Sequence, residues 1–560
     1  MFLHPKIIEQ FQSQVLANCR DFLPELILCG AIVLMLLLRL FNAFNRWHLG
    51  WVALILTLAA LGVSGGQWFE SHSLTGTPLF GGLLVYDQFT IFLRLFVLGF
   101  TALVIWLTLL TGIPDREDSA DFYSLLLGAA VGMMLMASSN NLLMVFIAVE
   151  MASLPSYALA GFLKGRRQSS EASLKYVVYG GGASGIMLYG ISLLAGKFGT
   201  AYLPELAAGY VAALKLAAAT PLGLDPVLLL GTLFILIGIG FKLAAVPFHF
   251  WCPDVFEGAA AEVAAFLSVA SKGAALALLA RFGMVLAGLE RAVPSQYLQG
   301  DEWMNLVRYL APALAFFAAL TATFGNLAAY LQTNLKRLLA YSTIAQAGYM
   351  MMGLAPLTQE GVSAVLFYLI AYLFMNLGAF AVVAFLRNQT GSEDLSSFRG
   401  LVRRSPLMVA TLGVFLLSLL GIPPLVGFMA KFQIFRVLFD AGRDYTAQGQ
   451  PALGATMYAL LVIAGLNTVV SAVYYIKVLK VMSLDMDLEE LEGRPAKPLP
   501  MPTGPAVYAT VMAVLILVLG ILWNPLARFS AEAVGRFRPS APSVPVAPAA
   551  AAATPKMLGD

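Results

Sequence analysis

Apolar runs of membrane-crossing length follow one another along nearly the whole chain, separated by short polar turns. They fall at about 22–41, 49–66, 86–112, 121–138, 141–163 and 174–196. A back-to-back pair follows within 228–281, then runs at about 303–329, 337–355, 360–386, 406–438, 456–482 and 505–525. Roughly 20 apolar residues cross the hydrocarbon core as a helix, so the pattern predicts an all-α polytopic membrane protein of about fourteen transmembrane helices. One further segment, LPELAAGYVAALKLAAA, carries polar residues at intervals and reads as an interfacial helix. Two spans are interrupted. The seventh contains Pro247, and the twelfth contains Gly421, Pro423, Pro424 and Gly427. Proline removes a backbone donor and breaks a helix locally. The two breaks lie five spans apart, an odd number, which predicts two inverted five-helix repeats with discontinuous helices 7 and 12. The expected organisation is three helices in 1–120, a first repeat in 121–290 and an inverted second repeat in 300–485. A fourteenth helix in 500–530 and a disordered Pro/Ala-rich tail in 531–560 complete it.

Basic residues set the orientation. Arg39 and Arg46 follow the first span, Lys164, Arg166 and Arg167 the fifth, and Arg387, Arg399, Arg403 and Arg404 the eleventh. Short Lys/Arg-rich loops stay on the inner side, so both termini are expected outside. The first twenty residues lack a basic region leading into a cleavage site, and the first apolar run reads as a retained span.

Composition narrows the chemistry. The chain is 59% hydrophobic and 12% charged, against about 25% charged for a soluble domain. A net charge of +3 with scattered basic residues argues against a nucleic-acid partner. Cys19, Cys29 and Cys252 form neither a CxxC nor a cluster with the four histidines, which speaks against iron–sulfur ligation and a disulfide framework. Nucleotide-binding glycine motifs are missing as well.

Four ionisable residues fall inside the apolar runs: Glu150, Lys242, Lys272 and Lys431. A charge at bilayer depth is expensive and marks ion or proton paths by default. Each could alternatively be a packed ion pair or a snorkelling side chain, but one carboxylate with three ammoniums suits proton transfer. Desolvation disfavours an ammonium and a nearby carboxylate favours it. Moving the Glu150 charge relative to Lys242 would then switch that lysine between holding and releasing a proton. Lys272 would take the proton onward and Lys431 would pass it outward. Alkali-ion coordination fits less well, since hard cations need oxygen ligands. His249 reads as a hydrogen-bonded or interfacial core residue, and Lys175 and Lys336 as snorkelling groups at span ends. Asp254 and Glu257 could attract protons or cap a helix.

At these residues the sequence resembles a known family. The strings AVEMASLPSYALAG, EASLKYVVYGG, GFKLAAVPFHFWCPDVFEG, FLSVASKGA, NLKRLLAYSTIAQAGY and RRSPLMVATLGVFLLSLLGIPPLVGFMAKF are similar to the antiporter-like membrane subunits of respiratory complex I. The resemblance covers about 20–530. It implies a fourteen-helix proton-pumping subunit of an NADH–quinone oxidoreductase, with Glu150, Lys242, Lys272 and Lys431 as the proton path. A lysine at 431 matches two branches of the family and not the third. The lack of a long lateral helix after span 13 separates the chain from one of those two. NADH, FMN, iron–sulfur clusters and quinone would belong to partner subunits, leaving no cofactor in this chain; the partners would be the other membrane-arm subunits and, through them, the redox arm. A subunit of a multi-subunit sodium–proton antiporter is the alternative. Two departures stand out. The family's APTPV-like run is Ala-Ala-Ala-Glu-Val at 259–263, which adds Glu262, and Gln346 replaces a common histidine.

Overall fold

A computed structural model describes residues 15–41, 47–70, 76–218, 225–286, 302–486 and 498–535. The described residues are almost wholly helical. Leu23–Arg39 (α1) follows a short helix, Val15–Asp21, bent from it by 82°. Gly50–Glu70 (α2) leads to a hairpin, Thr77–Leu79 (β1) with Leu84–Tyr86 (β2), which the hydropathy pattern does not signal. Then come Gln88–Thr111 (α3), Ser119–Ser138 (α4), Leu142–Ala160 (α5), Arg167–Phe198 (α6) and Leu203–Ala218 (α7). Pro226–Leu243 (α8) and the short Trp251–Gly258 (α9) are the two parts of the interrupted seventh run.

Ala261–Leu286 (α10), Glu302–Ala329 (α11), Leu335–Leu354 (α12) and Gln359–Thr390 (α13) follow. The twelfth run is likewise two helices, Pro406–Leu420 (α14) and Val426–Ala447 (α15). Pro451–Ser483 (α16), Thr503–Ile521 (α17) and Trp523–Gly535 (α18) close the described chain. α18 runs five residues past the expected start of a disordered tail, and 536–560 lie outside the described residues.

Among the described residues, eleven helices are long and apolar enough to cross a membrane, or twelve with the bent pair counted as one span. The expected fourteen differs for a physical reason. α12 begins with Lys336 and Arg337 and is less apolar, while the broken α14 is only 15 residues long.

Burial sorts the helices. Apart from Glu262, Lys272 and Arg281, α10 is apolar all round, and it is buried throughout, as a helix apolar on all faces must be. It packs among α3, α4, α8 and α13. By contrast α2 and α16 expose Trp51, Ile55 and Leu58, and Val462, Leu466 and Val469, as a lipid-facing surface does. Charged pairs hold the interior together. Arg281 on α10 donates to both carboxylate oxygens of Asp87 at 2.9 and 3.1 Å and to the Ala137 carbonyl at 2.7 Å. Arg94 on α3 pairs with Glu25 on α1 at 2.7 Å. A buried bidentate pair loses much of its value if either partner is removed, so these pairs fix how the helices sit around α10.

Candidate functional site

Each interrupted run delivers a buried lysine to its break. α8 ends because Ala244 takes a left-handed conformation, φ +54°, and the Ala245 amide turns back to the Gly240 carbonyl at 2.8 Å. Lys242 therefore occupies the last helical turn, where a cation interacts favourably with the helix dipole. Its side chain is 2% exposed, and its ammonium has no hydrogen-bond partner. The Tyr157 ring lies 5.9 Å from Nζ, within cation–π range. Glu150, two turns earlier on α5, accepts a hydrogen bond from Ser184 on α6. Tyr176 stacks on Trp251 at 4.4 Å, and the Trp251 indole donates to the Phe241 carbonyl at 3.1 Å. An aromatic wall thus holds the break open beside Lys242.

Lys272 follows directly on a π-helical turn, Leu267–Ser271, in the middle of α10. Such turns leave the local hydrogen-bond ladder misaligned and recur at functional sites. Asn376 on α13 donates to Ser268 in that turn. Lys272 is fully buried, and its Nζ approaches the Cys252 sulfur at 4.0 Å. α9 thereby connects the Lys242 break to the central helix.

At the second break Gly421 adopts φ +95°, and the Lys431 side chain folds back across it. Lys431 is 3% exposed and donates to the Leu420 carbonyl at 2.9 Å, one of the acceptors freed at the end of α14. The Tyr349 ring centroid lies 4.5 Å from Nζ. Beside the second break lies a buried polar group of tyrosines with Gln346. The Gln346 amide donates to the Leu419 carbonyl at 3.0 Å and to the Tyr475 hydroxyl at 3.3 Å, and accepts from Tyr368. Tyr475 also meets Ser342 at 2.5 Å. Gln346 is therefore a hydrogen-bond junction that ties the broken backbone of α14 to α12, α13 and α16.

The remaining candidates divide. His249 is buried between Phe250 and Phe324, each ring 4.4 Å away. Lys175 is partly exposed and pairs with Asp254 and Glu171, each at 2.7 Å. Arg337 bridges Asp254 at 2.6 Å and Glu257 at 2.8 Å, so these carboxylates are ion-paired. Lys336 corrects the snorkelling expectation. It is 1% exposed, donates to the Ala259 carbonyl at 2.7 Å and pairs with Glu393 at 2.9 Å. The start of α12 lies near solvent, but the Lys336 side chain turns into the fold, where the Ala259 carbonyl and Glu393 receive it.

Cys252 and Glu393 carried no sequence signal, and the tyrosines a weak one. Their neighbours come from helices far apart in the chain. Only the excess of tyrosine within 341–372 and at 474–475 hinted at a polar lining.

A family model described as "NADH:quinone oxidoreductase/Mrp antiporter, TM" matches residues 139–448. NADH-quinone oxidoreductase subunit N 2 of Sorangium cellulosum is 40% identical over 530 residues, 93% of this chain and 98% of the relative. NADH-quinone oxidoreductase subunit N of an Anaeromyxobacter species is 39% identical over 541 residues, 95% of this chain and 100% of the relative. A solved structure of respiratory complex I from Thermus thermophilus with bound aureothin contains a chain with a TM-score of 0.67 at 30% identity. The match covers 91% of this chain and 99% of that one.

Proposed function

The chain belongs to the NADH-quinone oxidoreductase subunit N family, the antiporter-like membrane subunits of respiratory complex I, and we propose that it moves protons along Glu150, Lys242, Lys272 and Lys431. It is a proton-translocating membrane subunit of that enzyme, coupling NADH–quinone electron transfer in the whole complex to proton movement. The observation that carries the path is the placement of three buried lysines: one at each helix break and one behind the π turn of the helix between them.

In this mechanism Glu150 biases Lys242. A carboxylate near the ammonium favours its protonated form, and withdrawal of that charge releases the proton. Lys272 receives it beside Cys252, and the tyrosine–Gln346 group conducts the change towards Lys431. Gln346 acts there by reorganising hydrogen bonds, since an amide does not take up and release a proton as histidine does. Counting α12 and the broken α14–α15 as spans gives fourteen, in two inverted repeats of helices 4–8 and 9–13. Both termini then lie outside the cell or inner membrane. The redox arm would hold NADH, FMN and the iron–sulfur clusters and would reduce quinone.

In the assembled complex, Lys242→Ala and Glu150→Ala should each lower proton pumping and quinone-coupled turnover by about tenfold or more, with assembly intact. Pumping is read in inverted vesicles and assembly by native gel. Normal pumping in both variants sinks the path. Sodium-dependent exchange without NADH-oxidising partners would instead favour the antiporter alternative, which the family description also covers.

A further inference from the structure

The run at 259–263 that departs from the family pattern places Glu262 in the first turn of α10. Its side chain is 0% exposed, and neither carboxylate oxygen makes a hydrogen bond. The nearest cation is Arg387 near the end of α13, whose Nη2 lies 3.9 Å from Oε1, too far for a hydrogen bond. The Arg387 Nη1 is also unpartnered, as is one oxygen of Glu393. Lys336 joins the group through Glu393 and through the Ala259 carbonyl, two residues before α10 begins.

Buried Glu262, Arg387 and Lys336 and the mostly buried Glu393 thus lie together where α9, α10, α12 and α13 meet. The charges sum to zero when all are ionised, yet Glu262 lacks the donors that a buried carboxylate requires. A carboxylate in such a position is the natural acceptor for a proton. Arg387 and the amino end of α10 bring positive charge near the carboxylate without a hydrogen bond to it, so a proton on either oxygen displaces no donor.

A route to solvent adjoins the cluster. Arg337, next in sequence to Lys336, bridges Asp254 and Glu257, and all three side chains are about 30% exposed. This half-exposed ionic ladder lies beside the buried group at the amino end of α10, where α13 brings Arg387 and leads into the basic loop beyond it. Lys272 lies ten residues further along the same helix, about 15 Å by helical rise.

Other titratable groups stand on the surrounding elements, and of these the Tyr372 hydroxyl on α13 and the Tyr157 hydroxyl on α5 make no hydrogen bond. Tyr123 on α4 shares a hydrogen bond with Thr108 at 2.9 Å, and Tyr508 on α17 donates to the Leu103 carbonyl at 3.1 Å. The Tyr157 ring faces Lys242, with Glu150 two turns before it on α5.

We infer that Glu262 is a proton-binding site that loads the central lysine row from the basic-loop end of α10. The carboxylate takes up one proton to become the neutral acid, which leaves Arg387 uncompensated. Loss of that proton towards Lys272 restores the ion pair. The inference rests on the proton-path reading above.

The test uses the whole complex in inverted vesicles, with Lys242→Ala in parallel. Glu262→Gln should lower pumping several-fold, change the pH profile of coupled turnover and remove one carboxylic-acid band from the infrared difference spectrum. Wild-type pumping, pH profile and spectrum in this variant overturn the inference. If Lys242→Ala also pumps normally, the path reading itself fails. Should Glu262→Gln not assemble, Glu262→Gln/Arg387→Gln removes both charges at once. Recovered assembly without recovered pumping supports the proposal; recovery of both makes the pair structural and overturns it. If the double variant fails too, Glu262→Asp keeps the carboxyl, and a shifted carboxylic-acid band supports the site while an unmoved one overturns it.

Discussion

At the break after α8, the Lys242 ammonium makes no hydrogen bond and faces the Tyr157 ring at 5.9 Å, with Glu150 two turns before Tyr157 on the same helix. At the break after α14, Lys431 donates to the Leu420 carbonyl at 2.9 Å and sits 4.5 Å from the Tyr349 ring centroid. Both lysines lie at a helix interruption and against a tyrosine. They differ in what holds the charge. A carboxylate on a neighbouring helix can move or change protonation, so Lys242 can be switched electrostatically. A backbone carbonyl is a fixed dipole, so the state of Lys431 depends on the geometry of the break. The backbone reflects the same contrast. The first break tolerates an alanine at φ +54°, whereas the second uses Gly421 at φ +95°.

That contrast can be broken experimentally, most severely at Gly427. A Cβ there would lie 1.8 Å from the Ser418 carbonyl oxygen, so backbone must shift for α15 to pack on α14. Gly427→Ala should destabilise the subunit by about 3 kcal/mol or more and reduce the yield of assembled complex, measured by thermal unfolding and native gel. An unaltered melting profile would mean the second break is looser than its packing indicates.

A smaller effect separates the two lysines. Lys431→Met removes a buried charge that has no carboxylate partner, and replacing buried ions with apolar side chains is neutral or stabilising by about 1–4 kcal/mol. Pumping should fall while thermal stability holds or rises. Lys242→Met leaves Glu150 without its cation, so the same measurement should show lower stability than for Lys431→Met. The reverse order would contradict the different environments of the two ammoniums.

The smallest effect lies in the turns. Gly421→Ala introduces a side chain at positive φ and crowds Lys431, whose Cδ would stand 3.1 Å away, and should cost about 1–3 kcal/mol. Ala244→Gly relieves strain at the first break and should be neutral or stabilising by up to about 1 kcal/mol. Equal effects at both sites would show that the turns are interchangeable.

The sequence by itself determined the helical membrane class, since runs of about twenty apolar residues have no other stable state in lipid. It also marked both breaks, because Pro247, Pro423 and Pro424 forbid a continuous hydrogen-bond ladder, and it singled out Glu150, Lys242, Lys272 and Lys431 as charges in apolar surroundings. Tertiary structure decided their partners. Lys336 looks like a span-end lysine in sequence, but its side chain turns inward and its cation pairs with Glu393. Glu262 looks like a stray loop charge until α13 brings Arg387 beside it and closes off water. Cys252 meets Lys272 only because α9 folds back onto α10. Hydropathy records how each residue partitions between water and lipid. Which charge neutralises which depends on contacts between residues 83 and 125 positions apart, as for Arg337 with Asp254 and Arg387 with Glu262, and only the packed helices bring those groups within range.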